Sequence, residues 1–254
     1  MKAIVTGASS GIGRDICKVL VKKGYVVYGV ARRKEKLEEL KSELGSLFIP
    51  VVKDLSFEEN AYALFELVKN EEISMLVNNA GLGVYGPFVS TDLNREIGMI
   101  NVNIRTLHIL TKLFAQKFLT QGKGRILNVA SSAGFMMGPL LSSYYASKAY
   151  VLRLSEAVDE ELRRKNKNVT VSVLCPGPVK TEFDSVADVD LSLGGLNSSY
   201  VAEYGVKKAF KGKRIIIPGL STKLLVFFSR FVPGRLLSKI TYKIQSKKSK
   251  KTEI

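Results

Sequence analysis

KAIVTGASSGIGRDICKVLVKKG, residues 2–24, decides the fold. Ala3, Ile4 and Val5 make a short apolar run of the length of a buried strand. Gly7, Gly11 and Gly13 then crowd a single turn together with Ser9 and Ser10. Behind them Ile12, Ile16, Val19 and Leu20 recur at helical spacing. Strand, glycine-rich turn and helix together make a phosphate cradle. Glycines let the backbone approach a pyrophosphate closely, and the helix N-terminus offers it amide donors and a positive dipole. Without a ligand the same letters describe a tight βα turn.

Working outward, the pattern repeats. Residues 25–31, 47–54, 73–78, 124–129, 168–174 and 213–219 read as further strands, separated by helical patterns. The alternation predicts an α/β fold, a Rossmann-type doubly wound parallel sheet of about seven strands with helices on both faces. Residues 1–220 are expected to form one such domain, with 221–254 as a C-terminal tail. After the second strand come Ala31, Arg32 and Arg33, with no acid where one would accept from a ribose 2′-OH. Arginine there would bind a 2′-phosphate in a forked geometry, and Arg14 offers a second clamp. In the bland reading Arg32 and Arg33 only open a solvated helix.

Composition excludes little. At 46% apolar and 24% charged the chain is ordinary for a globular protein. MKAIVTG leaves no room for a secretory leader before the glycine turn, and no apolar run is long enough to span a bilayer. Cys17 and Cys175 fall in a helix and a strand, which predicts free thiols and a cytoplasmic chain. The sole histidine, His108, has no cluster around it, so no metal site is expected. The net charge is +16, and residues 205–254 hold fourteen Lys and Arg against the single acid Glu253. That asymmetry suggests an anionic surface as partner for the tail and argues against a specific nucleic-acid reader.

The chemistry concentrates in SSAGFMMGPLLSSYYASK, residues 131–148. Tyr144 and Lys148 share one helix face at i, i+4 spacing. A cation beside a phenol favours the phenolate and lowers a pKa that is otherwise about 10. Ser131 could hold a substrate oxygen while Tyr144 passes a proton.

These motifs, TGASSGIG at 6–13, NNAG at 78–81, YYASK at 144–148 and PG at 176–177, occur in an order that resembles the short-chain dehydrogenase/reductase family. The resemblance covers residues 2 to about 220. It implies an oxidoreductase interconverting a carbonyl and an alcohol. The spacing usual in that family selects Ser131 over Ser132, and Tyr144 over Tyr145. It implies Ser131, Tyr144, Lys148 and Asn103 as the catalytic set, with Asn103 holding a proton-relay water. It places the cofactor on Gly7, Ser9, Ser10, Gly11, Ile12, Gly13, Arg14, Arg32, Asp54, Leu55, Asn79, Ala80, Gly81, Tyr144, Lys148, Pro176, Gly177, Val179 and Thr181. Asp54 would meet adenine, or cap the next helix. Basic residues at 14 and 32 go with NADP(H) over NAD(H) in that family. A homodimer or homotetramer is also implied.

Residues 182–200 would form the substrate loop. With Phe135, Met136, Met137 and Leu140 they suggest a lipophilic pocket for a small-molecule substrate. Beyond residue 220, Leu224, Leu225, Phe227, Phe228, Phe231, Leu236, Leu237 and Ile240 interleave with Lys223, Arg230, Arg235 and Lys239. This reads as a basic amphipathic helix broken at Pro233. Such a segment either lies in an anionic membrane interface or packs on the protein.

Overall fold

The structure, a computed structural model, describes residues 1–182 and 195–247. The first unit runs β1 (Lys2–Thr6), α1 (Gly11–Lys22), β2 (Val26–Ala31), α2 (Lys34–Leu44), β3 (Phe48–Val52), α3 (Glu58–Val68) and β4 (Ile73–Asn78). Then come α4 (Leu93–Ile100), α5 (Leu107–Gln121), β5 (Gly124–Val129), α6 (Ser142–Lys165) and β6 (Val169–Leu174). Short strands β7 (Val179–Lys180) and β8 (Leu196–Asn197) lead to α7 (Ser198–Phe210) and β9 (Ile215–Ile216). Two further helices follow among the described residues, α8 (Leu220–Ser229) and α9 (Gly234–Ser246).

The main sheet has seven strands in the order β3-β2-β1-β4-β5-β6-β9. Every neighbouring pair is parallel, as the alternation predicts. Parallel strands need crossovers, so helices cover both faces and every residue of β6 is buried. One core layer joins Ile16 and Leu20 of α1, Phe48 at the start of β3 and Val201 and Val206 of α7. The opposite layer joins Leu64 of α3 with Leu110, Phe114 and Phe118 of α5. Strand order reverses beside β1, between β2 and β4. That switch point opens a crevice at the carboxyl ends of the strands.

Several boundaries differ from the sequence reading. Strand β3 stops at Val52, before Asp54. Asp54 does not cap α3, whose N-cap is Phe57. Its Oδ1 instead accepts from Ser56 N and Ser56 Oγ, at 3.0 and 2.8 Å, and closes a turn. The last strand is only two residues long. Most of the expected substrate loop, residues 183–194, lies outside the described residues, and Ser198 onward is already helix.

Candidate active site

Thr6 ties the two nucleotide-motif turns together. Its Oγ1 accepts from the amides of Asn79 and Ala80, each at 3.0 Å, while Asn79 Nδ2 donates to Thr6 O at 3.0 Å and Gly7 O at 3.2 Å. Gly7 holds φ +69°, and a Cβ on Gly13 would lie 2.2 Å from Gly7 O and 2.4 Å from Asn79 Nδ2. A side chain at 13 therefore cannot fit without moving backbone. Gly13→Ala is expected to cost about 1–3 kcal/mol of stability and to shrink the rise in melting temperature that a bound dinucleotide produces. Thermal denaturation with and without nucleotide checks this. An unchanged ligand-induced rise would remove the cradle from the account.

A cavity of about 480 Å³ runs from this cradle to the 131–148 segment. Gly7, Ser9, Ser10, Gly11 and Ile12 line one end. Arg32, Arg33, Asp54 and Leu55 line the rim, and Asn79, Ala80 and Gly81 the middle. Ser131, Tyr144, Lys148, Pro176 and Gly177 line the far end, Val179 also lines the cavity, and Thr181 lines it against Gly11 of the cradle. A glycine-walled trough joined to a hydroxyl-rich chamber suits an extended dinucleotide with its reactive ring beside Tyr144. Gly13 stands behind the wall. Arg14 is placed differently from the other predicted contacts: its Nη2 donates to Glu43 Oε2 at 3.1 Å. Arg14 lines a smaller basic cavity that shares Ser9, Ser10 and Gly11 with the first. Arg33, which lies beside the predicted Arg32, donates from Nη2 to Ser9 Oγ at 3.1 Å, so its guanidinium sits on the glycine turn. Its Nη1 pairs with Glu182 at 2.8 Å, which holds that carboxyl below its ordinary pKa.

Tyr144 and Lys148 lie in the first turns of α6. Lys148 belongs to a buried stripe with Val151, Leu152, Ser155 and Asp159, so helix packing fixes its position. Its Nζ donates to Val129 O at 3.1 Å and lies 5.7 Å from the Tyr144 ring centroid. Burial lowers the Lys148 pKa to about 8. Burial likewise raises Tyr144 to about 12, partly offset by its hydrogen bond with Ser131. Here the structure corrects the sequence expectation of a lowered tyrosine. Desolvation of the phenol is the largest cause, and the Lys148 ammonium directs one of its protons to the Val129 carbonyl. The loop after β5 is pressed on α6, because a Cβ on Gly134 would fall 2.7 Å from Lys148 O. Leu140, at φ 69°, turns the chain into α6.

Asn103 sits in a π-helical segment, Asn101–Thr106, between α4 and α5. It is 1% exposed. Its Oδ1 accepts from Leu82 N at 2.8 Å, while Nδ2 donates to Leu82 O at 2.9 Å and Ser147 Oγ at 3.0 Å. Both amide protons are thus spent on protein. The side chain clamps the turn after NNAG to α6. Asn78 crosses the sheet in the same fashion, donating to Asn128 Oδ1 at 2.9 Å and Thr111 Oγ1 at 3.1 Å.

Sequence reasoning missed one wall of the cavity. Tyr145 and Gln245 both line it, and Gln245 Nε2 donates to Tyr145 Oη at 2.6 Å. Tyr85 Oη donates to Gln245 O at 2.9 Å. Thr222 of α8 stands against Gly177, where a Cβ would meet its Oγ1 at 2.6 Å. The α8–α9 hairpin therefore roofs the chamber. Nothing in the local sequence around Gln245 signals this, since its partners lie a hundred residues and more away. Among the described residues no group of three or more His, Cys, Asp or Glu could hold a metal ion.

The profile of the short chain dehydrogenase family matches residues 1–190. A very-long-chain 3-oxoacyl-CoA reductase of Anas platyrhynchos is 35% identical over 194 residues, covering 73% of this chain and 62% of that protein. An NADPH-dependent 3-dehydrocapnine reductase of Ornithobacterium rhinotracheale is 29% identical and is matched almost end to end, over 95% of this chain and 96% of the relative. Among solved structures, a short-chain dehydrogenase of Sphingobium yanoikuyae in complex with NADPH superposes with TM-score 0.81 at 27% identity, covering 91% of this chain and 93% of that one. One of Burkholderia phymatum in complex with NAD has TM-score 0.81 at 25% identity, covering 89% and 91%.

Proposed function

Because the chain belongs to the short-chain dehydrogenase family, an oxidoreductase family acting on carbinol and keto groups, we propose that it is an NADPH-dependent reductase of a ketone carried on a lipophilic chain. The observation that carries the oxidoreductase reading is the cavity itself, although Phe135, Met136, Met137 and Leu140, expected to make it lipophilic, do not line it. One continuous space joins the glycine cradle to Tyr144, Ser131 and Lys148. The names of two relatives, a 3-oxoacyl-CoA reductase and a 3-dehydrocapnine reductase, support a ketone substrate.

When bound, the reduced dinucleotide supplies a hydride to the carbonyl carbon. Ser131 Oγ donates to the carbonyl oxygen and fixes its direction. Tyr144 passes its phenolic proton to that oxygen as charge develops there. Lys148, in its charged form, stabilises the phenolate left behind and reaches for ribose hydroxyls of the cofactor. Asn103 keeps the 78–82 turn against α6 and so keeps Lys148 in place. A phenol whose pKa stands at about 12 is fully protonated near neutral pH.

Preference for NADPH rests on Ala31 ending β2 where an acid would repel a 2′-phosphate, and on Arg32 and Arg33 at the cavity rim. Replacing both, Arg32→Glu with Arg33→Glu, is expected to lower kcat/KM for NADPH by about 10–100-fold while leaving NADH within a few-fold. Steady-state rates with aliphatic and cyclic ketones under each cofactor check this. A wild-type enzyme more efficient with NADH would overturn it.

A further inference from the structure

Helices α8 and α9 are built inside out for water. Toward the protein they turn Thr222, Val226 and Ser229, then Leu237, Thr241 and Gln245. Four of those six are polar. Outward they present Leu224, Leu225, Phe227, Phe228 and Phe231, then Leu236, Ile240 and Ile244, each at least 43% exposed and Phe231 71% exposed. Phe227 lies 5.4 Å from Phe228 and 5.3 Å from Phe231, ring centre to ring centre, so these three rings form one surface. A water-soluble helix does the reverse, and contiguous apolar faces of this kind mark a docking surface.

Charge decides what docks. Arg230, Arg235, Lys239, Lys243 and Lys247 share these two helices with the apolar face, Lys223 turns to Tyr204 of α7, and residues 220–247 contain no acid. Among the described residues no salt bridge engages these six. A second copy of the chain would bring the same cations against them. An anionic bilayer would neutralise them while its acyl layer takes up the aromatic and aliphatic side chains. No helix of the described residues is long and apolar enough to cross a membrane.

We propose that the outer face of the α8–α9 hairpin seats the protein on an anionic lipid bilayer. The inner face of the same hairpin is the roof of the active-site chamber, through Gln245 on Tyr145 and Thr222 on Gly177. Bilayer and chamber are thus separated by one helix diameter, about 10 Å. The docking rests on the outer face alone and does not depend on the lipid-ketone reading above.

The test is co-sedimentation of the full chain with phosphatidylcholine vesicles, with and without phosphatidylserine. NADPH binding, followed by the nucleotide's own fluorescence, is measured alongside. Wild type is expected to pellet with the phosphatidylserine vesicles, weakly with the neutral ones, and to release as salt is raised. Phe227→Ser with Phe228→Ser and Phe231→Ser is expected to lower vesicle affinity by about tenfold or more, with NADPH binding unchanged. Phe231→Ser alone, at a side chain already exposed, gives a smaller drop should the triple variant fail to fold. Lys223→Gln, Arg230→Gln, Arg235→Gln and Lys239→Gln together are expected to erase the preference for phosphatidylserine. Wild type that stays in the supernatant, or pelleting indifferent to these changes, overturns the proposal. So does sedimentation velocity showing a dimer that the triple variant dissolves while neither binds vesicles. NADPH binding lost in wild type would instead strike the functional reading and leave the docking result standing.

Discussion

Tyr144→Phe is expected to lower kcat/KM for ketone reduction by about 10²–10⁴-fold, with little change in NADPH affinity. The substitution removes one hydroxyl and keeps the ring, so the packing between Tyr144 and Tyr145, centroids 6.2 Å apart, survives. What disappears is the proton donor and its hydrogen bond with Ser131. The pH dependence gives a second handle. Lys148 carries a pKa lowered to about 8 by burial, and Tyr144 one raised to about 12. As pH rises, the lysine therefore loses its charge first, while the phenol keeps its proton. Reduction by the free enzyme is expected to decline through pH 8, when the forming phenolate loses its cationic neighbour. A fall that begins only near pH 10, or retention of wild-type rate by the phenylalanine variant, would dismiss this assignment of acid and cation.

The sheet and its order of elements were open to reading because they are written in local periodicity. Each strand is a short apolar run, each helix a 3.6-residue stripe, and parallel pairing follows from the alternation. The cradle was legible for a related reason. Close approach of two backbones demands glycine, and Gly7, Gly11 and Gly13 cluster within seven residues. Tyr144 and Lys148 were legible because one helix turn brings them together. What escaped is whatever depends on contacts between distant segments. Asn103 was singled out, yet its bonds to Leu82 and Ser147 depend on how a π-helical turn aims it. The tyrosine pKa depends on how deeply the chamber is enclosed, a sum over many neighbours that spacing does not encode. Gln245 belongs to a segment whose letters read as a tail, and its role appears only when α9 folds back over Tyr145. The amphipathic pattern there was visible. Which side faces water was not, because a helical wheel has no preferred outward direction until the fold supplies one.

Asp159→Ala is expected to destabilise the protein by about 3–5 kcal/mol, the scale for breaking a buried charge pair by removing one partner. Asp159 is fully buried on α6. Its Oδ2 accepts from Arg163 Nε and Arg214 Nε, both at 2.7 Å, and its Oδ1 from Val171 N at 2.8 Å. The last contact explains why an acid is needed. Strand β9 is two residues long and pairs only with Val173 and Leu174 of β6, so Val171, flanked by β5 on one side, has no strand on the β9 side. The carboxylate takes the place of the missing strand and gathers Arg214 from the start of β9 as well. Removing it orphans a buried N–H in the centre of β6 and takes one acceptor from two guanidinium groups, of which Arg163 keeps Gly212 O and Arg214 keeps Glu160. Because β6 runs directly into Pro176 and Gly177 on the cavity wall, the same change should weaken dinucleotide binding. Asp159→Asn keeps an acceptor for Val171 but not the charge, and should recover part of the loss. Urea denaturation at fixed nucleotide concentration measures both variants. A cost below about 1 kcal/mol for alanine would mean that β6 holds its edge without the carboxylate.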